Sequence, residues 1–241
     1  MKPNQSKIHF QMPTKVARAI ALALVGILFL HPIPITAESD PLAEAVFFGE
    51  STTTHLRARG GVPPRQVWAD QSGTRMLSKR TALEPIVDPE TGASIPFLDL
   101  CAQKQPLVLV LSFGLNGIVT WANDPDRYLD CYGHLIDCIR EVSPSTRILI
   151  QTVYPVASAD RFSVDLDTLC GYIAAINGVL PKLTEGRDQV RIVDTASVLL
   201  DEHGHLDPTL ADPDGIHLLP VAYARILQYL RARIIPKRRP L

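Results

Sequence analysis

The sequence predicts an α/β fold, with a five-stranded, mainly parallel sheet covered by helices on both faces. Three observations predict it. Five short β-type runs recur, at residues 45–49, 66–69, 107–113, 147–153 and 190–193. Helical spacing of apolar residues fills the later intervals, and strands alternating with helices imply parallel pairing through right-handed crossovers. Residues 107–111 are apolar without interruption, as a strand buried on both faces must be.

Taken in order, residues 1–18 carry Lys2, Lys7, Lys15 and Arg18 and no acid, and residues 19–30 form an apolar run. His31, Pro32 and Pro34 follow, then Ala37 before Glu38. A basic start, a short apolar core and a small residue before an acid read as a secretory signal peptide, residues 1–37. The apolar run falls short of the roughly 20 residues that span a bilayer. The other reading is an uncleaved anchor, the only route by which this chain would meet a membrane. Cleavage leaves residues 38–241 as one domain, extracytoplasmic: secreted or periplasmic. That part holds 20 Lys and Arg against 25 Asp and Glu, a net charge of −5. Such a balance gives no electrostatic footprint for nucleic acid. The last 27 residues lack acids and end with Lys237, Arg238 and Arg239 close together. They read as a helix with cations at its C-terminus and a frayed tail.

The run at 45–49 is the first strand. Residues 54–106 are less regular, with Gly60-Gly61, Pro63-Pro64, Pro85, Pro89, Gly92 and Pro96. They read as a loop, a short strand at 66–69, a small hairpin near 88–92 and a short helix at 97–103. After the third strand, Asp124-Pro125 signals a helix start, and Leu129, Ile136 and Ile139 keep helical spacing over 126–142. Leu166, Leu169, Ile173, Ile176 and Leu180 share one face of a helix at 164–180. Residues 220–234 close the chain as another. Cys101, Cys131, Cys138 and Cys170 permit disulfides in an exported chain. Cys131 and Cys138, two helical turns apart, are separated by about 10 Å, beyond the reach of a bridge.

Three stretches carry chemistry. Gly49-Glu50-Ser51 delivers a serine at the carboxyl end of the first strand, where open α/β sheets place their sites. Ser112-Phe113-Gly114-Leu115-Asn116-Gly117 ends the third strand with an amide donor at the same edge. Asp212-Pro213-Asp214-Gly215-Ile216-His217 sets a carboxylate three residues before an imidazole, near the start of the last helix. An aspartate orienting a histidine that faces a serine hydroxyl is the relay that activates a nucleophile.

In these blocks, with Leu218 and Tyr223 downstream, the sequence resembles the SGNH (GDSL-type) hydrolase superfamily over essentially all of residues 38–241. The resemblance implies a flavodoxin-like three-layer α/β/α sandwich. It implies Ser51 as nucleophile with Asp214 and His217 completing a triad, and no metal or organic cofactor. It implies an oxyanion hole made by the Ser51 N–H, the Asn116 side chain and a glycine N–H. Gly73, just after the short second strand, fits that last role better than Gly60 or Gly61, which precede the strand. Two positions depart from the family pattern: Glu50 stands for the usual Asp, and Gly117 for the Asp after the asparagine.

Other residues fit less. His203-Gly204-His205 lies in a polar turn without further ligand spacing for a metal. His134 falls mid-helix, His55, four residues after Ser51, reads as a loop histidine with lining the cleft as the other reading, and Asp194-Thr195 as a turn or cap. Trp68 and Tyr154 read as packing residues, and Trp121 as the best wall for a pocket. The expected activity is that of an exported serine esterase acting on a short acyl group on carbohydrate. The alternatives are an acyltransferase or thioesterase with the same triad, and an inactive binding module of the same shape.

Overall fold

The structure, a computed structural model, describes residues 40–69 and 72–234. The expected signal peptide at 1–37 and the expected frayed tail lie outside the described residues. Among those described, the chain runs β1 (Ala45–Gly49), α1 (Ser51–Arg59), β2 (Pro85–Val87), β3 (Ser94–Pro96), α2 (Phe97–Lys104), β4 (Val108–Ser112), α3 (Ile118–Asn123), α4 (Pro125–Val142), β5 (Arg147–Gln151), α5 (Leu166–Val179), β6 (Val190–Val193) and α6 (Pro220–Arg231). No helix among them is long and apolar enough to cross a membrane.

The sheet has four parallel strands in the order β1-β4-β5-β6. Alternate residues of each strand face opposite ways, and two cores result. Phe48, Leu109, Leu111, Ile148 and Ile150 pack with α2, α3, α4 and α5. Phe47, Val108, Val110 and Leu149 pack with α1 and α6. β1 and β4 are buried along their whole length, which explains their unbroken apolar runs. Asp124 and Asp165 cap α4 and α5 through the N–H groups of Arg127 and Thr168, satisfying donors that a helix start leaves free. The small hairpin is β2 paired antiparallel with β3.

The expected fifth strand at 66–69 is a correction. Only Val67 bridges to β1, parallel to Phe47, with the Trp68 N–H donating to the Phe47 carbonyl at 2.8 Å. A 3-10 turn at Pro64–Gln66 occupies the start of that run. The Gln66 side-chain amide, rather than a backbone ladder, donates to the Leu42 and Ala45 carbonyls at 2.5 and 2.8 Å. The edge of β1 is thus covered by one bridge and one side chain.

Register sets the site. Gly49 lies beside Ser112, so β1 and β4 end together. The segments that follow them, Glu50-Ser51 and Phe113–Asn116, therefore leave the sheet side by side.

Candidate active site

Ser51 is the first residue of α1, where backbone N–H groups lack partners within the helix and the dipole favours negative charge. Ser51, His55 and Arg59 follow at four-residue spacing and so share one face. Arg59 donates from Nη1 to the Leu218 carbonyl and from Nη2 to Asp212 Oδ2, both at 2.8 Å. On α6, Tyr223 donates its hydroxyl to the Thr52 carbonyl at 3.0 Å. These bonds fasten α1 to α6 and to the loop before it.

That loop is itself closed. Ala211 bridges Leu218, and the Asp212 N–H donates to the His217 carbonyl at 2.7 Å. Within it, Asp214 Oδ1 accepts the N–H groups of Ile216 and His217 at 3.0 and 2.9 Å. Asp214 Oδ2 lies 2.6 Å from His217 Nδ1, and His217 Nε2 lies 3.1 Å from Ser51 Oγ. A carboxylate accepts, so Nδ1 carries the ring proton and Nε2 is left to accept from the serine hydroxyl. Burial pushes the Asp214 carboxyl up, but the N–H groups of His217 and Ile216 and the His217 ring outweigh it and hold it down at about 2.

The structure thus brings Ser51, Asp214 and His217 into one hydrogen-bonded chain. Gly73 and Asn116 join them. Gly73 has φ +64°, and a Cβ there would come within 2.7 Å of both Ser51 Cα and Cβ, so the backbone at 73 lies against the serine. The Asn116 amide donates to the Gly73 and Arg75 carbonyls at 3.1 and 2.8 Å. It joins the Gly73 segment to the end of β4, and one of these bonds must be released for Asn116 to donate elsewhere.

The two departures have physical accounts. Glu50 is buried, and its carboxyl accepts the Gly114 and Asn116 N–H groups at 2.8 and 3.0 Å. Its extra methylene spans from the end of β1 to the loop after β4. Burial pushes this carboxyl up to about 8, against the pull of the N–H groups of Gly114, Asn116 and Leu115. Gly117 has φ +85°, and a Cβ there would come 2.5 Å from Met76 Sδ. The Met76 thioether fills the space that a side chain at 117 would take.

Three residues that the sequence reading singles out have other places in the structure than it gives them. His55 is on α1, not a loop, and its ring centroid lies 4.7 Å from that of His217. Helical phase from Ser51 is the signal that would have found it, and Arg59 with it. Trp121 is buried and donates from Nε1 to the Asn116 carbonyl at 3.0 Å, so it braces the loop rather than lining a pocket. Glu50 left no signal beyond its place beside the serine. Elsewhere, His205 Nε2 meets Asp167 at 3.0 Å and His203 is exposed. No group of three or more metal-ligating side chains gathers among the described residues. The four cysteines are free thiols.

No curated protein matches the chain. Solved structures do, at the level of the fold. A Streptococcus pneumonia protein named for platelet activating factor superposes with a TM-score of 0.57 at 16% identity, covering 91% of this chain and 99% of its own. A carbohydrate esterase family 3 protein from Talaromyces cellulolyticus gives 0.52 at 12%, covering 79% and 95%. An acetyl xylan esterase gives 0.51 at 17%, covering 79% and 99%. The model of the GDSL-like lipase/acylhydrolase family matches residues 47–225, an interval that begins in β1 just before the serine turn and ends in α6 just after His217. The end of β1, the rest of the sheet, the serine turn and the closing Asp-His loop fall within that match: the chain belongs to the GDSL-like lipase/acylhydrolase family and is a serine ester hydrolase.

Proposed function

We propose that the chain hydrolyses esters of short acyl groups on carbohydrate, through a Ser51-His217-Asp214 triad and a covalent acyl-enzyme. The observation that carries the reading is the unbroken relay, 2.6 Å from Asp214 to His217 and 3.1 Å from His217 to Ser51. Ser51 Oγ attacks the ester carbonyl carbon while His217 Nε2 takes its proton. The negative oxygen of the tetrahedral intermediate is held by the N–H groups of Ser51 and Gly73 and by the Asn116 amide, once it lets go of a carbonyl. His217 returns the proton to the leaving alcohol. Water then attacks the acyl-enzyme by the same route, releasing the acid and free Ser51. No step calls for a metal or organic cofactor.

The carbohydrate ester is drawn from the fold neighbours named as carbohydrate and acetyl xylan esterases, an argument from analogy. Export rests on residues 1–37 alone; N-terminal sequencing of protein recovered outside the cytoplasm should begin at Glu38. A fluorophosphonate probe tests the chemistry. Wild-type protein should label and Ser51→Ala should not; folded wild type that fails to label overturns the reading and favours the binding module. Acetate release from acetylated xylo-oligosaccharide, with and without an acceptor sugar, separates hydrolysis from acyl transfer.

A further inference from the structure

We propose that His55 is a positioning residue for the ester hydrolysis, holding the His217 ring in line with the Ser51 hydroxyl by packing against it. The inference rests on the triad reading above. His55 stands one helical turn after Ser51 on α1, so the same helix supplies the nucleophile and a ring for the base to rest on. The two imidazole centroids are 4.7 Å apart with planes tilted by 57°, contact distance for rings.

Asp214 holds the His217 ring through Nδ1 alone, which leaves rotation about that bond to be restrained by whatever touches the ring. His55 is such a contact. Its own Nδ1 is out of solvent with no hydrogen-bond partner, so the ring is not held there by a polar bond of that atom, and an unpaired buried nitrogen costs stability. What faces the ring is charged and mixed: His217, Asp212 and Asp214 from the loop before α6, and Arg59 from its own helix. Burial, with His217 and Arg59, pulls the His55 ring below the usual histidine range, while Asp212 and Asp214 oppose this. The net direction favours the uncharged ring, which sets no cation beside the imidazolium that forms when His217 takes the serine proton.

Three variants test this by steady-state kinetics, fluorophosphonate labelling rates and melting temperature. His55→Ala should lower kcat and the labelling rate by about tenfold with KM unchanged, since a misaligned base costs rate rather than binding. His55→Phe keeps a ring and removes the unpaired nitrogen. It should stay within about threefold of wild type and melt higher. His55→Lys puts a cation against His217 and should move the acid limb of kcat/KM down by about one pH unit. Wild-type kcat and labelling in His55→Ala, an unmoved limb in His55→Lys, or His55→Phe as slow as His55→Ala would each overturn the proposal. Wild type that itself fails to label fails the triad reading instead, so the two failures are distinguishable.

Discussion

His217 Nε2 lies 3.1 Å from Ser51 Oγ across 166 positions of chain. The closeness is built by α1 and the loop before α6 together. Arg59 grips Leu218 and Asp212, Tyr223 grips Thr52, and both lie within about two helical turns of the serine or the histidine. The relay is a consequence of this docking, so its parts can be tested separately.

Asp214→Asn isolates the orienting carboxylate. An amide in its place can donate to His217 Nδ1, which moves the ring proton to Nε2 and leaves nothing to accept from Ser51. The expected result is a kcat lower by about 10³–10⁴ with little change in KM. The variant also loses an acid-sensitive contribution. Asp214 is held below its usual value, so its stabilisation is complete above about 4 and is lost as pH falls through about 2. Melting followed from pH 5 to pH 2 should drop more steeply in wild type than in the variant.

Glu50 has the opposite sign. Its folded value is raised to about 8 from 4.5, so between those values the native state binds more protons than the unfolded one. Stability from this group therefore falls as pH rises through that window. Glu50→Gln removes the titration while leaving one acceptor oxygen. Wild type should lose on the order of 5 °C in Tm between pH 5.5 and 8.5, and Glu50→Gln clearly less. Equal losses in both proteins would show that Glu50 does not titrate as described.

Asn116→Ala tests the amide that ties the two loops. It removes a donor near the serine and the two bonds that donor makes to the Gly73 and Arg75 carbonyls. Loss of an oxyanion donor costs about 10²–10³ in kcat, and that is the expected deficit. Hydrogen exchange in the segment 72–76 should rise as well. A kinetic deficit without added exchange would assign the amide to the reaction and not to the tie.

The parts of this architecture legible in the sequence are those with a period or a block. The unbroken apolar runs announce β1 and β4 because both faces of each are covered, and Asp124-Pro125 announces α4 because an Asp cap and a first-turn Pro satisfy a helix start. The run at 66–69 misleads because its apolar side chains are buried against β1 while its backbone makes a single bridge, and side-chain pattern reports burial, not pairing. Ser51, Asp214 and His217 stand out as blocks at strand ends or before the last helix. His55 and Trp121 do not, because their roles depend on which way a ring points, and spacing alone does not fix that.

Gly73→Ala probes the tightest approach in the site. At φ +64° an alanine is already strained, by roughly 1–2 kcal/mol. Its Cβ would also fall 2.7 Å from Ser51 Cα and Cβ, and those atoms sit on the first residue of a packed helix, not at the end of a flexible side chain. Either α1 shifts at its start or the 72–76 segment moves away. Both outcomes disturb the serine relative to His217 and to the Gly73 N–H, while the sheet strands that carry most of the two cores are not what the new Cβ meets. Activity and fluorophosphonate labelling should therefore fall by at least about 10²-fold, with a melting temperature lower by only a few degrees. A Gly73→Ala protein that labels at the wild-type rate would place the 73 backbone away from the nucleophile and remove it from the oxyanion site.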